Sequence, residues 1–249
     1  ATITAAAAAR LGVSTRIISA LSDGAVARLR GESVQVTNLK KRGEQHAITA
    51  ALSTPQDRAF VTFDGVNRVL GPRFVAAIEK TQARIVHCAL CPRDIPPLVQ
   101  AIRQLRERGA LVSFDFGYDL DLARDAHLPK LLAEVDYLFI NEAEATLYSK
   151  RNTLARAESF WQEHARNTIL KIGPKGSRWI SSRGVIEESA PKVRAVDTTG
   201  AGDAFNAGFL AGLLSSLTPN RSLRLGNTVG ARSTLAMGGL DGLPRIDQL

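Results

Sequence analysis

The sequence predicts an α/β fold in which a mostly parallel central sheet is flanked by helices and carries a small β-sheet lid. Three observations lead there. From about residue 84 onward, short β-branched or apolar runs alternate with helical patterns, the signature of strand-helix-strand units and a parallel sheet. Between Ser33 and Asn67, strand-like runs instead follow one another with turn-forming residues between them, as consecutive antiparallel strands do. The 249 residues, 45% hydrophobic and 22% charged, can bury a sizeable core and fit one large domain better than two independent ones. The expected division is a core of residues 1–32 and 68–249, with residues 33–67 as the lid.

In chain order, Ala1 to Leu11 reads as a helix ending at Gly12. The lid strands are Val34-Gln35-Val36, Ala47 to Leu52 and Arg58 to Phe63; Asp64-Gly65-Val66-Asn67 then turns the chain towards a helix start at Gly71-Pro72. A small sheet inserted early in such a domain suits a cover over a site, and a plain structural meander would read the same. Arg84 to His87 is the first core strand. Leu98 to Arg108 carries Leu98, Ile102 and Leu105 on one side with charges opposite and closes at Gly109, an amphipathic helix. Ala110 to Asp115 and Val135 to Ile140 are the next strands, Leu154 to His164 a second amphipathic helix, and Thr168 to Ile172 the fourth strand. The chain then turns through Gly173 and Gly176 into Ser177 to Ile180, a further strand, and Asn206 to Leu217 is a helix of small and apolar residues.

The formal charge of +8 would suit an anionic partner, but the 32 Lys and Arg are scattered and often share helix faces with Glu. With no basic run interleaved with aromatics, nucleic acid is not an expected partner. No apolar stretch approaches the roughly 20 residues needed to span a bilayer, and Ala5 to Ala9 lacks the basic flank of a signal peptide, so a cytoplasmic protein without a membrane partner is expected. Cys88 and Cys91 have the Cys-x-x-Cys spacing of a redox pair or half a zinc site; with no second pair, and a strand end between them, ordinary structural roles are expected. His46, His87, His127 and His164 show no ligand spacing. Met237 is the only methionine, so Ala1 is not an initiator residue left in place, and something upstream was removed or never included.

The most informative run is Asp197-Thr198-Thr199-Gly200-Ala201-Gly202-Asp203-Ala204-Phe205, which passes directly into the apolar helix. Gly200 and Gly202 remove side-chain bulk where that helix begins, so unpaired N–H groups and the positive end of the helix dipole can face an anion, most naturally a phosphoryl group. Asp203, in the first turn, holds a carboxylate beside that anion, positioned to accept a proton from an attacking hydroxyl. An acidic helix cap is the structural reading, but a cap alone requires no flanking glycines.

These residues resemble those of the ribokinase-like carbohydrate kinases, the PfkB family. Support comes from Asn141-Glu142-Ala143-Glu144, from Lys171-Ile172-Gly173-Pro174-Lys175-Gly176, and from Asn227 in the last long helix, all in the family's order. The resemblance implies that Asp203 is the catalytic base, facing the substrate, and that the amides of Gly200, Ala201 and Gly202 form the anion hole. It implies that Asn141 and Glu144 help place the nucleotide phosphates and water-bound Mg2+, which keeps several waters of its own. Read alone, the Glu residues are favourable charges at a helix start. Gly173 and Gly176 would contact ATP through backbone, Lys171 would lie nearby, and Asn227 would edge the adenine or ribose; alone, this is an ordinary glycine turn. Asp197 and Thr199 match positions that in many relatives help bind a monovalent cation such as K+, and an Asp-Thr turn also has a sufficient structural explanation.

The sequence departs from the family pattern at its start. Relatives begin with a strand carrying a substrate-binding aspartate and a Gly-Gly pair opening the first long helix; Ala1 starts almost inside that helix, and Ser22 to Ser33 is shorter than usual. For the substrate side, Asp115, in Asp115-Phe116-Gly117-Tyr118, and Asn67 are the candidates. The implied function is an ATP-dependent, Mg2+-requiring sugar kinase acting on a primary hydroxyl of a furanose or open-chain sugar. Alternatives are a nucleoside kinase and a non-catalytic relative that binds sugar or nucleotide as a sensor or subunit. Lid-to-lid homodimerisation would cover the exposed strand edges.

Overall fold

The computed structural model describes residues 1–53 and 58–249. It opens with α1 (Thr2–Arg10), β1 (Arg16–Ser19), α2 (Asp23–Gly31) and β2 (Gln35–Asn38). Next come β3 (Ile48–Ser53), β4 (Arg58–Phe63), a 3-10 turn at Gly65–Val69, and α3 (Gly71–Glu79). The main sheet is then built from β5 (Ile85–Ala89), α4 (Ile95–Glu107), β6 (Leu111–Asp115), α5 (Leu120–Arg124), α6 (Leu128–Leu132), β7 (Tyr137–Asn141), α7 (Glu142–Ser149), α8 (Leu154–His164) and β8 (Thr168–Lys171). The hairpin β9 (Ser177–Ser181) and β10 (Gly184–Glu188) follows, then α9 (Ala201–Leu214) and α10 (Pro219–Ser233).

The six-stranded sheet has the order β10-β9-β8-β7-β6-β5, with β5 to β8 parallel and β9 and β10 antiparallel. Because successive side chains on a strand face opposite ways, the sheet presents two faces to two groups of helices. Leu138 and Ile140 of β7 pack with Val112, Phe114 and Leu170 in a core shared with α4 to α8, where Trp161 is fully buried. Phe139, between them, faces the other way with Ile169 and meets Phe205, Phe209 and Leu210 of α9. That second face carries α9 and α10, and α1 packs against α9 in turn.

One expected strand pairing is corrected. Val34-Gln35-Val36 was expected in an antiparallel meander with the lid; the strand is β2, and it pairs parallel to β1, with Ile17 opposite Val36. The cause is α2, capped by the Ser22 hydroxyl accepting from Ala25 N, which makes β1-α2-β2 a crossover unit. A helical crossover brings the chain back in the same direction, whereas a hairpin reverses it. The small antiparallel sheet is therefore β3 and β4 alone, with Ile48 opposite Phe63 and Ala50 opposite Val61. The apolar helix α9 begins at Ala201, within the glycine run where its start was expected, and ends at Leu214.

Candidate active site

The site is built where α9 starts, near the C-terminal ends of the parallel strands. Gly200 caps α9 with a φ of +77°, a left-handed conformation that L side chains rarely adopt, and a Cβ there would run into Ile3 Cδ1. The first turn of an α-helix leaves N–H groups without intrahelical partners, and they point out past Gly200. Ala201 N donates to the Thr198 carbonyl at 3.2 Å, so one of the three expected anion-hole amides is already engaged.

Asp203 stands in that first turn with its side chain 30% exposed. Its Oδ1 accepts from the Thr4 hydroxyl at 2.6 Å and lies 3.1 Å from the Ala1 nitrogen. Burial pushes this carboxyl up, and the Thr4 hydroxyl, hydrogen-bonded to its charged form, pulls it down. A carboxylate in this position is able to accept a proton.

Three strand ends converge next to it. Asp115 ends β6, Asn141 ends β7 and Lys171 ends β8, with Asn141 and Lys171 in register. Lys171 Nζ donates to Asp115 Oδ2 at 2.8 Å and to Asn206 Oδ1 at 3.3 Å, and Asn206 Nδ2 donates to the same Asp115 oxygen at 2.7 Å. Burial works against the Asp115 charge, but Lys171 and Asn206 overcome it and bring the carboxyl down to about 2. Asp115, expected on the substrate side, is engaged within the protein, and Gly117 N also donates to its Oδ1 at 3.3 Å.

Asn141 and Glu144 form a reciprocal capping box on α7: the Asn141 side chain accepts from Glu144 N, and Glu144 Oε2 accepts from Asn141 N, both at 2.9 Å. Glu144 is buried, and burial raises its pKa above the ordinary value despite the backbone donor at Asn141. The cap occupies one carboxylate oxygen; these are hard oxygen donors of the kind that suit water-bound Mg2+.

Gly173 and Gly176 bracket a 3-10 turn between β8 and β9. Gly176 has a φ of +115°, and a Cβ on it would run into the Glu188 carbonyl. Asn227 on α10 donates through Nδ2 to that same carbonyl at 2.9 Å, so the fold brings Gly176 and Asn227 to one wall at the end of β10. Asp197 Oδ1 accepts from Thr199 N and its Oδ2 from Gly238 N, each at 2.9 Å, which pins the turn before α9 to the segment after α10. Asn67 lies exposed in the 3-10 turn after β4, where its backbone bonds to Asp64 and Leu70. None of the described hydrogen bonds joins it to the residues above.

Asn206 and His87 escaped the sequence reading. Asn206 is fully buried, and a polar residue in an otherwise apolar helix is the signal that marks it. His87, a polar residue in an apolar strand, has its Nδ1 2.9 Å from Ser113 Oγ and its Nε2 buried without a partner. Burial holds the ring neutral, with a pKa of about 4. The Cys88 and Cys91 thiols are both pushed up to about 12, chiefly by burial, which keeps them protonated and weakly nucleophilic.

Comparison with known proteins returns one family. The family model described as pfkB family carbohydrate kinase matches residues 3–246. An uncharacterized sugar kinase of Archaeoglobus fulgidus is 28% identical over 247 residues, 95% of this chain and 97% of that protein. Among solved structures, adenosine kinase from Sinorhizobium meliloti superposes with a TM-score of 0.84 at 22% identity, covering 96% of this chain and 78% of its own. A ribokinase-type chain from E. coli in complex with ATP and Mg2+ gives a TM-score of 0.79 at 24% identity, covering 99% and 85%.

Proposed function

This chain belongs to the pfkB family of carbohydrate kinases, phosphotransferases with an alcohol group as acceptor, and from that premise we propose that it moves the γ-phosphoryl group of ATP to a hydroxyl of a small sugar. The observation that carries the reading is the juxtaposition of the Asp203 carboxylate with the open first turn of α9. In the proposed step the acceptor oxygen forms a bond to the γ-phosphorus, the bond from that phosphorus to the bridging oxygen of ADP breaks, and the hydroxyl proton passes to the Asp203 carboxylate. An ordinary or weak carboxylate base suffices, because the transition state is loose and the proton leaves late. The outward amides of Gly200 and Gly202, with Ala201 between them, receive the charge on the phosphoryl oxygens.

Asn141 and Glu144 are assigned to Mg2+ through its waters, and when bound the ion neutralises phosphate charge. The wall formed by Gly173, Gly176 and Asn227 is assigned to the nucleotide. A K+ ion beside Asp197 and Thr199 is the finer part of the proposal, to be checked by comparing turnover in potassium and in sodium. The enzyme is proposed to act in the cytoplasm as a dimer joined through β3 and β4, whose Ile48, Val61 and Phe63 are exposed on one face.

The test is ATP-to-ADP turnover across ketoses, aldoses, sugar acids, aminated sugars and nucleosides, with Asp203→Asn as control. Sugar-dependent turnover that the variant loses supports the reading; preference for a nucleoside moves the chain to the nucleoside kinases. Binding of ATP or sugar with no turnover above the variant would overturn the enzyme and leave a sensor.

A further inference from the structure

A buried charge is costly unless it is paired and hydrogen-bonded, so the partners of a buried lysine say what the fold is holding it for. Lys171 has only 14% of its side chain exposed. Asp115 and Asn206 grip its ammonium from β6 and α9, and the Asn206–Asp115 hydrogen bond closes the ring of three side chains. Nζ is thereby fixed before any ligand arrives. An ammonium has three N–H donors, and two are committed to this ring.

The cation also touches the phosphate end of the site. Nζ lies 3.4 Å from the point where a Cβ on residue 202 would stand, which places the ammonium against the first turn of α9. Asp115 is close enough to act electrostatically on both Glu144 and Asp203, so three carboxylates influence this end of the site. With the Ala201 amide held by Thr198, the backbone has one donor fewer to offset them.

We propose that Lys171, locked by Asp115 and Asn206, is the charged donor of the anion hole, giving its third N–H to an oxygen of the γ-phosphoryl group, and that Asp115 and Asn206 are positioning residues and not sugar contacts. This deepens the kinase reading and rests on it. It differs from a purely structural ion pair in one respect: loss of Lys171 must discriminate between nucleotides that have and lack a γ-phosphate.

The experiment is calorimetric titration of Mg·ADP and of the non-hydrolysable Mg·AMP-PNP into wild type, Lys171→Met, Lys171→Arg and Asp115→Asn, with no sugar present. In Lys171→Met the Kd for Mg·ADP should stay within about threefold, while that for Mg·AMP-PNP rises about 10- to 100-fold, the range of one charge-assisted hydrogen bond. Lys171→Arg should recover part of the difference, and Asp115→Asn should lose part of it. If Lys171→Met fails to fold, the double variant Lys171→Met/Asp115→Asn removes both buried charges and carries the same measurement. Equal loss for both nucleotides, or no loss for either, overturns the role of Lys171 while leaving the kinase standing. A wild type that binds neither nucleotide sinks the kinase reading, and this inference with it.

Discussion

At Asp203, burial and the hydrogen bond from the Thr4 hydroxyl to the charged form pull in opposite directions. Asp203→Asn keeps the shape and removes the proton acceptor; the expected result is a kcat lowered by about 10²- to 10⁴-fold with nucleotide affinity retained, read from initial rates and calorimetry. His87 and Asp115 give pH signatures of a different sort. The ordinary histidine pKa of 6.5 falls to about 4 here because the ring is buried, so below 6.5 the unfolded chain binds a proton that the native state does not. The stability from a neutral His87 is fully present above pH 6.5 and is lost as pH falls to about 4, at about 1.4 kcal/mol per pH unit. Asp115 acts lower down: its contribution is present above pH 3.8 and lost as pH falls through about 2. Urea denaturation at a series of pH values checks both, and His87→Gln should flatten the upper window while leaving the lower one. A His87→Gln profile identical to wild type would refute the assignment.

The elements show how local rules and long-range pairing divide the work. Strands β5 to β8 follow from β-branched and apolar runs, and α4 from its amphipathic spacing, because both are properties of a short stretch of chain. The partner of β2 is a different kind of fact. Three apolar-rich residues at 34–36 announce a strand but not which edge it joins, and α2 decided that by returning the chain parallel to β1. Ser177 to Ile180 announced β9, but neither β1 nor β10 stood out, since four or five residues of mixed polarity carry little periodicity. In the β3-β4 pair, Ile48 is 57%, Val61 63% and Phe63 52% exposed, all on one face of a two-stranded sheet that is marginal by itself. If a second copy covers that face, Val61→Lys should convert the dimer to monomer in sedimentation velocity without lowering the melting temperature of the α/β core. A wild-type monomer at all concentrations would remove the dimer from the proposal.

For the molecule as a whole, two helical layers on opposite faces of one sheet leave the ends of β6, β7 and β8 beside the start of α9, and the site belongs to that arrangement. A ligand that binds only the folded state stabilises it by mass action, so Mg·ATP at 100 times its Kd should add about 2.7 kcal/mol and raise the melting temperature by roughly 5–11 °C. Differential scanning calorimetry measures this, and no shift at saturating nucleotide would count against an ATP site. The strand-helix alternation, the glycine cradle and the carboxylate beside it were legible in the sequence, because each is local: a helix start, two missing side chains and an acid lie within one turn. The engagement of Asp115 was not. It joins Lys171, 56 residues away, and Asn206, 91 residues away, and only closing those loops on a common sheet could make it the counter-ion of a buried cation. The meeting of Gly176 and Asn227 at the Glu188 carbonyl has the same origin. Local chemistry set what each segment could do, and the tertiary structure decided which groups were close enough, and dry enough, to act on one another.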